Sequence, residues 1–187
     1  MKVYLFIFSF FFFLNNSAVS QITKGNMIVG GNFSFNRTSN TNSNNIIAKQ
    51  SVVSITPMVG YFLKDKFVLG LRSELNNYSG SITGGNRNSS NRLDFGPFLR
   101  YYFLPVNDRV NLFAESAYLL SLIKSYKSKW SSGNGFLINV GPVIYLNKTV
   151  GLEFTLGYSS QYWTNSIGNF NNFRTGIGFQ IHLEKAN

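Results

Sequence analysis

The chain has 187 residues, the length of one ordinary domain, with 17 Lys+Arg against 7 Asp+Glu and a formal net charge of +10. Only 13% of its residues are charged, about half the share usual in a soluble domain, and 17% are aromatic, which excludes a disordered chain. The absence of cysteine removes disulfide scaffolds, thiolate metal sites and cysteine nucleophiles, and the single His182 leaves little room for a histidine metal site or triad. No cofactor is expected.

The chain opens with Lys2 and an apolar run over residues 3–14, followed by small residues up to Ser20. That order is the pattern of a secretory signal peptide, with cleavage after Ser20 and Gln21 first in the mature chain. Twelve apolar residues at about 1.5 Å each are too short to cross a hydrocarbon core about 30 Å thick as a helix. Residues 1–20 are therefore expected to be a cleavable signal, and 21–187 one domain.

Beyond it, apolar and polar residues alternate almost throughout, the period of strands with two different faces. Eight strands are predicted, over 25–36, 50–63, 66–76, 91–104, 109–122, 135–146, 149–160 and 171–183. All are longer than the usual five or six residues and match the 9–11 that a tilted membrane-crossing strand needs. Strand three sets Phe67, Leu69, Leu71 and Leu75 against Gly70, Arg72, Glu74 and Asn76; strand eight sets Phe173, Ile177, Phe179, Ile181 and Leu183 against Arg174, Gly176, Gly178, Gln180 and His182. The connections alternate as well: short at 64–66, 105–108 and 147–148, long and rich in Asn, Ser, Gly and Thr at 37–49, 77–90, 123–134 and 161–170. An even strand number with short turns at one rim and long loops at the other is the pattern of an all-β, eight-stranded antiparallel up-and-down transmembrane barrel. Pro57, Pro97 and Pro142 recur before successive short turns. Proline donates no ladder hydrogen bond, so a bulge is expected at each.

Alternation alone leaves open which face is wet. A secreted lipocalin-like binding barrel would turn the apolar face inward. Charge placement favours the opposite arrangement. The lysines fall outside the strand cores, at termini, turns or loops, while the polar face carries Arg72, Arg100 and Arg174 with Glu74, Asp94, Glu115 and Glu153 among glycines. Balanced charges suit an enclosed interior, where each must be paired. An eight-stranded barrel is also just wide enough for side chains, so the Phe- and Leu-rich face would overfill it.

With eight strands, this loop parity and the phrases at 55–63 (ITPMVGYFL) and 176–183 (GIGFQIHL), residues 21–187 resemble the outer-membrane beta-barrel domain family. The resemblance is to its small OmpA/OmpX-type members, in the version common in Bacteroidetes-like bacteria. It implies the outer membrane of a Gram-negative bacterium, a monomer, contact with membrane lipid, and an architecture rather than an activity.

Three candidate sites follow. Arg72, Glu74, Asp94, Arg100, Glu115, Glu153 and Arg174 are expected to form an interior charge network, with Arg100 and Glu115 cross-strand neighbours and Arg72, Glu74, Glu153 and Arg174 at one depth. His182 is expected to point inward near the short-turn rim with no serine beside it on its face, which argues against catalysis, since a base needs its nucleophile within reach. Arg37, Lys49, Arg87, Lys124, Lys127 and Lys129 are read as loop residues, with Tyr78, Tyr126, Trp130, Tyr162 and Trp163 near the loop bases. That basic set offers contact to lipopolysaccharide phosphates or an acidic extracellular partner. Nucleic acid is not expected as a partner. The function read from the sequence is a non-catalytic scaffold or adhesion-type barrel presenting basic loops; the alternative is a narrow porin-like channel.

Overall fold

The computed structural model describes residues 22–41, 47–82, 88–125, 131–164 and 169–184. They form eight strands: β1 (Met27–Thr41), β2 (Ile47–Lys64), β3 (Phe67–Ile82), β4 (Asn88–Tyr102), β5 (Val110–Ser125), β6 (Ser131–Tyr145), β7 (Val150–Trp163) and β8 (Asn169–Leu183). Each pairs antiparallel with its sequence neighbours, and β8 returns to β1 to close a barrel. Along Met27–Phe33 and Ile177–Leu183 closure removes the sheet edges that would otherwise seek a partner.

At the turn end the strands stop within two residues of the predicted limits. At the opposite, loop end they do not: the ladders run on through most of the segments predicted as long loops. Residues such as Asn77 and Asn91 stay register partners there and join side chains at 2.7 Å. Arg37, Lys49 and Lys124, expected in loops, are exposed residues on β1, β2 and β5. Lysine is thus not confined to turns and loops. Arg87, Lys127, Lys129, Tyr126 and Trp130 lie outside the described residues.

The predicted bulges are absent. Pro57, Pro97 and Pro142 each sit in a ladder whose register is the same on both sides of the proline. Pairing lapses on one side only, toward β3, β5 and β7 respectively, and resumes without a slip. Gly96 and Gly141 precede two of these prolines, and a Cβ at either would fall on a carbonyl oxygen of the next strand, Tyr118 O or Phe154 O. The glycine lets the neighbouring backbone close in where proline gives no hydrogen bond. Among the described residues the one register shift lies between Phe62 and Lys64, beside the two-residue turn where Lys66 takes φ 66°.

The apolar face points outward. Leu69 and Phe95 are 42% exposed and Leu71 62%, whereas Glu115 is 2% exposed. Exposed large apolar residues run from Met27 to Phe35 on β1, Val110 to Leu122 on β5 and Phe173 to Leu183 on β8, spans that fit the length needed to cross a bilayer. An inward-facing lipocalin-like core is excluded. Aromatic rings meet across the outer surface, Tyr101 with Phe103 at 5.2 Å and Tyr158 with Phe173 at 5.1 Å.

Candidate functional site: a divided barrel interior

The interior is not polar throughout. At the turn end it is filled by Ile22, Ile28, Phe62, Val68, Phe98, Tyr102, Phe113, Val143 and Tyr145, all essentially buried. Ile22 precedes β1 and is held there by the β2–β3 turn: Lys66 N donates to Ile22 O at 2.9 Å, and Lys24 N donates to Asp65 Oδ1 at 2.8 Å. His182 points into this plug, with ring centroids 5.5–6.5 Å from those of Tyr145, Phe62 and Tyr102. Phe98 and Tyr102 alternate with outward apolar neighbours on β4, so a two-class pattern gives no sign that their side of the strand turns aromatic here.

Above the plug lie two charge clusters, each with two arginines and two carboxylates. The deeper one is centred on Arg100, 1% exposed. Arg100 and Glu115 are register partners on β4 and β5. Arg100 Nη2 lies 2.6 Å from Glu115 Oε2, and Arg100 Nη1 donates to Glu153 Oε2 at 2.8 Å and to Gln180 Oε1 at 3.1 Å. Arg72 pairs with the other oxygen of Glu115, to which Asn139 Nδ2 also donates at 3.0 Å. Tyr102 OH donates to Gln180 Oε1 at 2.7 Å, and the Arg100 guanidinium lies 4.3 Å over the Phe113 ring. The cluster is thereby bonded to the roof of the plug.

The second cluster is centred on Glu74 and Asp94. Arg174 Nη1 donates to Glu74 Oε2 at 2.6 Å. Arg92 Nε donates to Asp94 Oδ2 at 2.8 Å, with its Nη2 3.8 Å from Glu74 Oε1. Asn76 Nδ2 bridges the two carboxylates, at 3.1 and 3.2 Å. The structure thus brings all seven network residues inside but divides them differently from the single layer expected of Arg72, Glu74, Glu153 and Arg174. Arg72 goes with Glu115 and Glu153 with Arg100, while Glu74 and Arg174 belong to the other group. Arg92 completes the charge balance. It stands at the start of its predicted strand, where alternation defines facing least, so the sequence admits it to the charge balance without assigning it to the network. The neutral linkers Asn76, Asn139 and Gln180 left no signal beyond their place on the polar face.

Beside this second cluster, reaching down to Arg72 and Asn139 of the deeper one, is a chamber of about 190 Å³, lined by Arg72, Glu74, Arg92 and Arg174 together with Ser, Thr and Asn side chains and Tyr78. Tyr78, predicted as an exposed loop-base aromatic, is half-buried, with the Arg92 guanidinium 5.5 Å over its ring. Among the described residues no group of three or more His, Cys, Asp or Glu is arranged to hold a metal ion.

No family model matches the chain, and no curated protein does. Among solved structures it is similar to the outer membrane protein OprG from Pseudomonas aeruginosa, with TM-score 0.56 and 14% identity over 86% of this chain and 97% of that one. It is likewise similar to Neisserial surface protein A, with TM-score 0.55 and 15% identity over 84% of this chain and 97% of that one. At such identities the likeness speaks for the fold, a closed eight-stranded antiparallel barrel.

Proposed function

We propose that the chain is an integral outer-membrane protein of a Gram-negative bacterium, delivered by a signal peptide at 1–20, whose barrel is a non-catalytic scaffold displaying a basic rim. The observation that carries this reading is the inverted polarity of the wall. A continuous belt of Phe, Leu, Ile and Val is exposed on every strand, while all eight charges of the two clusters are buried or intermediate in exposure and paired inside. In water such a belt would drive association; in acyl chains it is the ordinary surface of a transmembrane barrel. Past the belt the outward residues turn polar, and Arg37, Lys49 and Lys124 stand exposed there, at the height where lipopolysaccharide phosphates or an acidic extracellular partner would meet them. The loop residues Arg87, Lys127 and Lys129 would add to that rim.

A channel is the weaker reading, because two seals cross the lumen: the Arg100–Glu115–Glu153 cluster and the aromatic plug beneath it. Catalysis has no support in the position of His182, enclosed by Phe62, Tyr102 and Tyr145. Refolded protein in planar bilayers is expected to give no steady conductance, and cell fractionation to recover a heat-modifiable band with the outer membrane. Sustained stepwise currents would instead favour the pore, and a soluble periplasmic monomer would remove the membrane reading.

A further inference from the structure

We propose that the chamber at the loop end binds a small oxyanion, a carboxylate or phosphate group, between Arg72 and Arg174. The inference goes beyond the scaffold reading and does not depend on it. Three arginines line the chamber against one carboxylate, Glu74. Arg92 spends its donors on Asp94 and Gln161. Arg72 and Arg174 do not spend all of theirs. Arg72 is 5% exposed and pairs with Glu115 through Nη1, yet its Nε has no hydrogen-bond partner among the described residues; Arg174 bonds Glu74 through Nη1, and its buried Nη2 has none either. Buried donors are normally satisfied, and a guanidinium presents its N–H groups in a fixed fork that matches the oxygens of a carboxylate or phosphate.

Size, closure and access agree with this ligand class. About 190 Å³ is below the range of pockets for drug-sized ligands and suits a group of a few heavy atoms. The floor is the Arg72–Glu115–Asn139 contact, so the chamber is a dead end that holds a solute rather than passing it. Access lies at the loop end, beside the seam of the barrel. The β1–β2 ladder continues to Thr41–Ile47, but the β1–β8 ladder stops at Phe33–Ile177. Beyond that point Ser34 and Arg174, both chamber residues, stand on its two margins.

The test uses the full refolded chain in zwitterionic micelles with ¹⁵N-labelled arginine, following arginine Nε–H resonances by NMR. Acetate or inorganic phosphate, titrated against chloride at constant ionic strength, is expected to move Arg72 and Arg174 saturably. Micelles doped with phosphatidylglycerol form a second arm. Shifts from acetate or phosphate identify a dissolved solute, and shifts from the doped micelles alone identify a lipid headgroup entering at the seam. Arg174→Gln should weaken the response at Arg72 tenfold or more. Arg174→Lys, which keeps a cation beside Glu74 so that the fold survives, should weaken it too, while Lys124→Gln on the outer rim should leave it unchanged. Absence of a saturable shift in every arm, or an Arg72 response that survives both Arg174 variants, would overturn the proposal.

Discussion

Arg100 on β4 reaches Glu115 on the adjacent β5 and Glu153 on β7 with one guanidinium, at 2.6 and 2.8 Å, in a site from which water is excluded. Two carboxylates on different parts of the wall thus share one cation. Removing it leaves both buried with reduced compensation, although Glu115 keeps Arg72. Arg100→Met is therefore expected to lower the unfolding free energy by about 3–5 kcal/mol, the usual cost of breaking a buried ion pair on one side. Adding Glu153→Gln, which neutralises the carboxylate left without a cation while Glu115 keeps Arg72, should recover part of that loss. Urea unfolding in detergent, followed by tryptophan fluorescence, measures both.

The plug adds stability by burial rather than charge. Phe62 is fully buried against Tyr102 and His182, so Phe62→Ala should cost about 3–5 kcal/mol. Because the Arg100 cluster closes the lumen separately, the same variant is expected to remain electrically silent in planar bilayers. Conductance in Phe62→Ala would mean that the plug alone is the seal.

The prolines and their neighbours make opposite demands. Gly96→Ala and Gly141→Ala each force a methyl group onto a carbonyl of the next strand, and an overpacking cost of about 1–3 kcal/mol is expected. Pro97→Ala should be nearly neutral, since its pairing toward β5 has already lapsed. Comparing unfolding midpoints and m-values of the three variants checks this.

Much of this architecture was legible because one physical contrast, apolar outside and polar inside, writes itself into the sequence with period two. It gave the strand number, the facing of Leu69 and Phe95, and the inward position of Arg100 and Glu115. The same contrast explains the errors. Beyond the belt both faces are polar, so the alternation fades around Asn77 and Asn91 although the hydrogen-bond ladder continues, and strand was read as loop. Inside, Phe98 and Tyr102 obey the parity of Arg100 while belonging to a plug, because the interior changes character with depth and a strand's parity carries no depth. The Arg100–Glu115 pair on adjacent strands was legible, but partners across the lumen were not: Arg100 also meets Glu153 there, and sequence register speaks only for neighbouring strands.

A charge placed on the outer wall should discriminate position sharply. Leu71→Arg, in the middle of the apolar belt of β3, is expected to cost about 2–4 kcal/mol in lipid vesicles, while Asn91→Arg, exposed beyond the belt, should cost well under 1 kcal/mol, as surface substitutions usually do. Equilibrium folding into vesicles measures both, and equal costs would mean the belt is not in lipid.

Since the chain has no cysteine, a single nitroxide reports the surroundings of any chosen position without background. With the label at Leu71→Cys in bilayers, electron paramagnetic resonance should show strong relaxation by oxygen, which concentrates in acyl chains, and almost none by a water-soluble nickel chelate. The same label at Asn91→Cys should show the reverse. A Leu71 label relaxed by the nickel chelate as readily as one at Asn91 would contradict a lipid-facing wall.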